Sequence, residues 1–182
     1  IALAKAEIID NTNDNGYVVL NADDTFFSLH KKIAHKKKIK VLSFGINNQY
    51  ADIKLNNIIK SKKKYKICIK INNIKKNFSI SNDFQNYIYN ILAALTVKSV
   101  FLNILKLDKN IFLNFKTPEG RGDIKKIKVN KKIINLIDES YNSNPLSLKT
   151  AILNYDKIKT KNSKKYLILG DMLELGHHSK KL

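Results

Sequence analysis

The side chain best suited to bind a charged ligand is the single arginine of the chain, which lies in a glycine-flanked turn. The 182 residues contain 33 lysines and one arginine, Arg121, within Pro118–Gly122. This sequence uses lysine wherever a cation is enough, so a retained guanidinium indicates that a planar, bidentate fork is needed for phosphate or carboxylate. The flanking glycines would let the backbone approach a ligand closely. The alternative is that Arg121 has been retained by chance on a turn.

Three polar clusters follow predicted strands, which is where ligands bind in parallel α/β sheets. They are Asn21–Asp24, Asp138–Pro145 and Gly170–Gly176. Because Asn, Asp and Gly form turns in most proteins, any one of these clusters alone would be interpreted as a strand ending. The exact order of residues in the three clusters, taken together, is more informative about function than their composition.

The elements that would position these residues begin with a strand–helix–strand pattern, typical of a parallel α/β sheet. Patterning predicts the end of a helix over 1–10, a buried strand over Tyr17–Leu20, an amphipathic helix through Phe26, Phe27, Leu29 and Ile33, and a strand over Ile39–Phe44. From Ala51 to Ile80 apolar residues alternate with polar ones, which predicts a small, half-exposed antiparallel meander.

The second half of the chain is predicted to hold further helices and strands. These are a long helix over Tyr87–Phe101, a short helix over Asp108–Phe115, strands over Ile124–Val129 and Lys132–Asp138 joined by an Asn130-Lys131 turn, a helix over Pro145–Tyr155 capped by Asn144, and a buried strand over Tyr166–Leu169. The turn after Thr117 is the predicted domain boundary.

The exact strings identify a family resemblance. Asp138–Pro145 reads DESYNSNP and Gly170–Gly176 reads GDMLELG. With Arg121, these strings resemble signatures of the Mur ligases, the ATP-dependent ligases of peptidoglycan synthesis, and of the branch that adds D-alanyl-D-alanine. Ile1–Ile8, Asn21–Asp24 and the stretch Asn90-Ile91-Leu92-Ala93-Ala94 fit the same family in the same order. The resemblance therefore spans the chain.

The resemblance implies a domain layout. Mur ligases have a uridine-nucleotide domain, a central ATPase domain and a Rossmann-like C-terminal domain. Residues 1–117 would be the second half of the parallel-sheet central domain with its antiparallel meander, and 118–182 would begin the C-terminal domain. The sequence has six glycines and no Gly-x-x-x-x-Gly-Lys-Ser/Thr phosphate loop. We therefore predict an α/β fragment that is inactive alone.

The reaction implied by the resemblance is amide formation. ATP, with Mg²⁺, phosphorylates the carboxylate of UDP-N-acetylmuramoyl-tripeptide, and the amine of D-alanyl-D-alanine attacks the resulting acyl phosphate. Such chemistry asks the protein chiefly for positioning and for charge neutralisation along the phosphates. Arg121 would reach the ATP phosphates when the domains close.

The resemblance also assigns roles to individual residues. Lys5 matches a lysine that is carbamylated in several Mur ligases and assists Mg²⁺ binding; an ordinary exposed lysine is the alternative. Asn90 would bond adenine, unless it is a surface asparagine of an Asn-rich protein. The remaining assignments are ribose binding by Asp138 or Glu139, a nucleotide loop with Tyr141, Asn142 and Asn144 that could equally be turn formers, and substrate handling or domain closure by Asp171 and Glu174.

One departure from the family pattern affects the adenine side. The family usually carries Gly-x-His-Asn ahead of the adenine-side helix, whereas this chain has Phe84-Gln85-Asn86-Tyr87. The local adenine contacts must therefore differ, although Asn90 is retained. The four histidines (His30, His35, His177 and His178) lack metal-like spacing with carboxylates and are interpreted as surface residues.

Composition supplies the competing hypothesis. The formal charge of +19 would suit a lysine-rich nucleic-acid-binding module. Against this, the excess of Lys, Ile and Asn looks like drift toward AT-rich codons. The lysines are also spread along the whole chain, and the arginines that would read bases are missing. Another Mur-type ligase, folate-linked or cyanophycin-type, is a further alternative. One cysteine argues against a disulfide framework. We expect a cytoplasmic monomer with no membrane span or secretory leader.

Overall fold

The computed structural model describes residues 2–61, 64–81, 87–160, 163–173 and 175. The chain forms two compact units, Ile1–Phe115 (unit 1) and Lys116–Leu182 (unit 2). Its elements are α1 (Ala2–Asp10), β1 (Tyr17–Asn21), α2 (Phe27–Lys36), β2 (Lys40–Gly45), β3 (Ile53–Ser61), β4 (Lys64–Ile71), β5 (Ile74–Ser81), α3 (Ile88–Phe101), β6 (Asp123–Val129), β7 (Lys132–Asp138) and α4 (Pro145–Asp156). None of the helices found in these ranges has the length and apolar character that a membrane crossing requires.

Unit 1 is built on one mixed sheet with the strand order β1-β2-β3-β4-β5. The pairs β1–β2 and β2–β3 are parallel, and β3–β4 and β4–β5 are antiparallel. The α/β fold class and the antiparallel meander are thus confirmed. The meander is continuous with the parallel strands, because Phe44 of β2 pairs with Ile53 of β3.

Helices cover both faces of this sheet at β1 and β2. Successive strand residues point to opposite faces, and Val18 joins the cluster of Ile9, Ala34 and Ile39 under α1 and α2, whereas Val19 joins the larger core under α3. In the meander, Ile67, Ile69, Phe78 and Ile80 are fully buried in that core. Each fully buried side chain of this size contributes roughly 1.5–3 kcal/mol. The core of unit 1 therefore fixes the ends of the parallel strands.

Unit 2 consists of the β6–β7 hairpin, α4 and the segment after it. Asn130 and Lys131 have φ values of +44° and +66°, which are the values of a tight type I′ turn. Asn144 caps α4 through a reciprocal pair of hydrogen bonds with Ser147. The predicted hairpin, helix and cap are confirmed. Among the described residues of this unit, no apolar side chain is buried.

The helix predicted over Asp108–Phe115 is wrong. The helical turn of this region is a short 3₁₀ segment at Ile104–Lys106. Beyond it, the Lys109 carbonyl accepts a hydrogen bond from Ser79 N at 2.7 Å, Phe112 forms a parallel bridge with Ile80, and the Phe112 ring meets the Phe78 ring edge-on. Pairing with the sheet edge satisfies this backbone in place of helical hydrogen bonds.

The buried strand predicted over Tyr166–Leu169 is also wrong. This stretch has no regular structure, and Ile168 is 92% exposed. A strand needs a neighbour for its backbone hydrogen bonds, and none of the described residues pairs with this segment. The Tyr155 hydroxyl instead donates to the Tyr166 carbonyl at 2.9 Å and accepts from Tyr166 N.

Candidate functional site

At the carboxyl ends of β1 and β2, the Asp23 carboxylate collects hydrogen bonds from the loop that follows β2. It accepts from the backbone N–H groups of Ile46 at 2.6 Å and Asn48 at 2.7 Å, and from Asn47 at 3.1 Å. A Cβ on Gly45 would come within 3.2 Å of Asp23 Oδ1, so glycine suits this close approach. Asp23 therefore organises the edge of the sheet.

The same carboxylate also joins the sheet to α3. The Tyr89 hydroxyl donates to Asp23 Oδ2 at 3.0 Å. Desolvation alone would raise the pKa of Asp23, but the three loop N–H groups and this hydroxyl outweigh it, and the pKa lies below its ordinary value. Desolvation and the neighbouring Asp23 charge raise the pKa of Tyr89. Asp23 is thus an ionised acceptor already occupied by protein donors.

Asn90 follows Tyr89 directly in the first turn of α3, and its side chain is exposed. The predicted adenine residue therefore lies one position after the tyrosine that contacts Asp23. Lys5 lies in α1 with an exposed side chain. Within the described ranges it makes no hydrogen bond or ion pair.

In unit 2, the turn that carries Arg121 is bound to the segment after β7. Tyr141 N donates to the Gly120 carbonyl at 3.1 Å, and Gly122 N donates to the Asp138 carbonyl at 2.7 Å. Gly120 has a φ of +70°, and a Cβ there would lie 3.0 Å from Tyr141 Cβ. Both backbone conformation and space require glycine at this position. The Arg121 turn and the Asp138–Pro145 string are therefore joined in space.

The Arg121 guanidinium lies over the Tyr141 ring, with Cζ 4.2 Å from the ring centroid. Such stacking on an aromatic face orients a guanidinium while its edge can still bond an anion. The turn itself is held by Asp123, whose Oδ1 accepts from Gly120 N at 2.7 Å. Arg121 thus sits on a turn whose backbone is fixed on both sides.

Acidic residues and one lysine surround this turn. Lys125 Nζ lies 3.1 Å from Glu119, 3.4 Å from Asp123 and 4.0 Å from Asp138. Hydrogen bonds to Glu119 and Asp123 raise the pKa of Lys125. Lys125 therefore offsets the repulsion between Asp123 and Asp138, which lie directly opposite each other in the hairpin.

The two members of the acidic pair have different environments. Hydrogen bonds from the side chain and backbone of Ser140 lower the pKa of Asp138, and Lys125 adds to the effect. Partial desolvation raises the pKa of Glu139, and the charges of Asp123 and Asp138 add to it. Asp138 is thus committed to contacts within the protein, whereas Glu139 is exposed.

The other predicted site residues lie nearby in the chain or outside the description. Asn142 is exposed, and Asn144 Oδ1 accepts from Ser147 N at 2.9 Å as the cap of α4. Asp171 is exposed in a stretch without regular structure. Glu174 lies outside the described residues, as do His177 and His178. Of the other histidines, His35 is exposed, whereas His30 is half-buried, with Nε2 3.0 Å from the Ala2 carbonyl.

Within the described ranges, no three His, Cys, Asp or Glu side chains converge on a point where they could hold a metal ion. The described part of the chain therefore does not by itself fit Mg²⁺. Three contributors escaped sequence reasoning: Tyr89, Asp123 and Lys125. Asp123 lies opposite Asp138 in the hairpin, and Lys125 follows Asp123 two residues along β6. This pattern could have indicated Asp123 and Lys125 once the hairpin register was known.

The Mur ligase middle domain family matches residues 1–98. The chain therefore belongs to the Mur ligase family. Solved structures share the fold: MurF ligase from Thermotoga maritima, in complex with ADP, superposes with a TM-score of 0.73 and 23% identity over 97% of this chain and 38% of that chain.

Curated relatives narrow the resemblance. The UDP-N-acetylmuramoyl-tripeptide–D-alanyl-D-alanine ligase of Bacillus subtilis (strain 168) is 28% identical over 186 residues, which cover 97% of this chain and 36% of the relative. The ligase of the same name from Buchnera aphidicola subsp. Baizongia pistaciae is 31% identical over 179 residues, with 97% and 36% covered. The chain thus spans a little over a third of the length of these relatives.

Proposed function

We propose that the chain is part of an ATP-dependent ligase that adds D-alanyl-D-alanine to UDP-N-acetylmuramoyl-tripeptide in peptidoglycan synthesis. The observation that carries this proposal is that relatives bearing this one name align with nearly the whole chain, across both units. The turn of Arg121 supports it, because backbone hydrogen bonds join this turn to the Asp138–Pro145 string that resembles this branch.

The proposed chemistry is acyl activation. The substrate carboxylate takes the γ-phosphoryl group of ATP and releases ADP; the D-alanyl-D-alanine amine then attacks the acyl carbon, loses a proton and expels phosphate. Carboxylate oxygen is a poor leaving group, and phosphate is a good one. Mg²⁺ would offset phosphate charge, and Lys5 would assist only if carbamylated. The described residues form no cluster that fits this ion.

The residues of each unit take separate roles in this proposal. Asn90 offers an exposed amide, which can bond N6 and N7 of adenine together. Arg121, oriented by Tyr141, neutralises phosphate charge. Glu139 is the more available acceptor for ribose hydroxyls, because Asp138 already accepts from Ser140. Tyr141 and Asn142 line the loop, and Asn144, Asp171 and Glu174 remain proposed substrate contacts.

The test uses the complete gene product that carries these residues. We expect phosphate release from ATP that requires both UDP-N-acetylmuramoyl-tripeptide and D-alanyl-D-alanine, with the amide product seen by mass spectrometry. Product formed only with another amino acid as the amine donor would favour a sister Mur-type ligase. The 182 residues alone, which contain no phosphate-loop string, should release no phosphate above a buffer control.

A further inference from the structure

We infer that Tyr89 is a positioning residue that aims Asn90 at the adenine ring by tying the first turn of α3 to Asp23. The inference rests on the proposed function, in which Asn90 contacts adenine. It concerns how this chain holds that asparagine without the glycine and histidine that the family usually places just before α3. The residues at 84–87 read Phe-Gln-Asn-Tyr.

The start of α3 lacks two of the local features that stabilise the N-terminus of a helix. The N-cap residue, Tyr87, makes no side-chain capping hydrogen bond, and the first turn contains no acidic residue to favour the helix dipole. The terminal turns of a helix are the ones that fray, and a side chain carried on a frayed turn loses its orientation. A long-range contact in the first turn would prevent this.

The Tyr89 hydroxyl makes such a contact. It donates to Asp23 Oδ2 at 3.0 Å, across 66 positions of sequence. Asp23 is itself a rigid acceptor, since it follows β1 and holds three consecutive N–H groups of the loop after β2. The hydrogen bond therefore fastens the beginning of α3 to the ends of two parallel strands.

The position of Asn90 follows from this anchor. Successive helix residues differ by about 100° around the axis, so Tyr89 can face Asp23 while Asn90 faces away. The structure shows Asn90 exposed. A fixed helix start gives the Asn90 amide a defined direction, which two simultaneous hydrogen bonds to a base edge require. Tyr89 thus acts on nucleotide recognition through Asn90.

The experiment measures base selectivity in the complete gene product. ADP and GDP affinities are determined by calorimetry for the parent, Tyr89→Phe, Asn90→Ala, the double variant and Tyr50→Phe. Tyr50 is the matched control, a tyrosine in the loop after β2 that is 84% exposed. We expect Asn90→Ala, which removes both hydrogen bonds to the base edge, to lower the preference for ADP over GDP by about tenfold. Tyr89→Phe, which only loosens the orientation of Asn90, should lower it by about fivefold.

The double variant and the control distinguish the possible outcomes. Because Tyr89 acts through Asn90, the double variant should lose no more selectivity than Asn90→Ala, and Tyr50→Phe should keep the parent ratio. If Asn90→Ala lowers the ratio but Tyr89→Phe leaves it unchanged, the inference is wrong while the proposed function stands. If Tyr89→Phe weakens ADP and GDP equally, its role is structural, and the inference is again overturned. An unchanged ratio in Asn90→Ala would overturn both the adenine contact and the inference.

Discussion

The stack of Arg121 on Tyr141 gives the guanidinium a fixed orientation. Lysine at this position would keep the charge but lose both the planar stack and the bidentate fork. In the complete gene product, we therefore expect Arg121→Lys to lower turnover by about ten- to a thousandfold, the scale of removing one transition-state donor. Steady-state kinetics on ATP and both acceptor substrates would measure this loss.

The fold should tolerate the same substitution. Arg121 is exposed, and substitutions at exposed positions typically change stability by about 0.5 kcal/mol or less. A thermal melt of Arg121→Lys should therefore match the parent. Turnover close to that of the parent would remove the phosphate role, and a strongly lowered melting temperature would show that Arg121 is structural.

Asp23 should make the stability of unit 1 depend on pH in the acid range. Its hydrogen bonds lower its folded-state pKa below the ordinary value of 3.8, so its contribution to stability is fully present above that value. The contribution is lost as the pH falls through the lowered folded-state pKa. Asp23→Asn should cost about 1–3 kcal/mol at neutral pH, typical of hydrogen bonds to a charged group, and should flatten the acid limb.

Thermal melts across a pH series would check this prediction for Asp23. Asp14→Asn is a matched control, because Asp14 is an exposed carboxylate in the loop after α1. The control should follow the parent curve at every pH. An equally steep loss of stability in acid for Asp23→Asn would mean that another group controls the transition.

At the scale of the elements, local signals and tertiary pairing explain what sequence reasoning could recover. The Asn130-Lys131 turn and the Asn144 cap are local, since each depends on residues a few positions apart, and both were predicted. The Asp108–Phe115 segment follows the edge of β5, where Ser79 and Ile80 pair with it. No pattern within that segment reveals those partners.

The residues of the candidate site likewise fall into those with a local sequence signal and those that depend on tertiary packing. The strings around Arg121 and Asp138 were recognisable because their wording is specific, and the structure does join them. The contact of Tyr89 with Asp23 spans 66 positions and depends on where α3 packs, so no spacing rule could indicate it. The network of Lys125 likewise required the hairpin register, which sets Asp123 opposite Asp138.

The β6–β7 turn offers a test at the scale of a single element. Lys131 adopts a φ of +66°, and a left-handed conformation costs a residue with a side chain roughly 1–2 kcal/mol. Asn-Gly is the favoured pair for this turn. We therefore expect Lys131→Gly to stabilise the hairpin by about 1 kcal/mol, and to slow amide hydrogen exchange in β6 and β7 by about fivefold.

A neighbouring lysine supplies the control for the turn. Lys132 begins β7, where glycine costs about 0.5–1 kcal/mol through the entropy of the unfolded chain. Lys132→Gly should therefore accelerate exchange in the same amides that Lys131→Gly protects. Faster exchange in both variants would mean that the left-handed turn is not what limits the hairpin.

At the scale of the whole molecule, buried apolar surface and charge are distributed differently. The buried apolar residues found in the described ranges all lie in unit 1, whereas the β6–β7 hairpin exposes side chains such as Ile133, at 71%. Lysines occur in both units. On the meander, Lys54, Lys70 and Lys75 stand directly opposite one another on three adjacent strands. This row is a local concentration of positive charge on one face of the sheet, with Lys75 exposed and the other two lysines half-buried.

That row gives the nucleic-acid hypothesis its most specific test. Ammonium groups bind phosphates without reading bases, and the single guanidinium of the chain is stacked on Tyr141. We therefore expect duplex DNA to bind with a Kd in the micromolar range or weaker at about 150 mM salt, to show no sequence preference, and to dissociate steeply as salt rises. Fluorescence anisotropy with two unrelated duplexes would measure all three properties.

The slope of that salt dependence distinguishes a surface patch from diffuse charge. Each phosphate contact contributes about 0.9 to the slope of log K against log salt. If the row on the meander makes the contacts, replacing Lys54, Lys70 and Lys75 with Gln should reduce the slope by about three. If the charge acts diffusely, as the ligase proposal requires, the triple variant should weaken binding no more than three Gln substitutions at Lys126, Lys128 and Lys157 in unit 2. Tight, sequence-selective binding that the triple variant abolishes would instead favour a nucleic-acid-binding module.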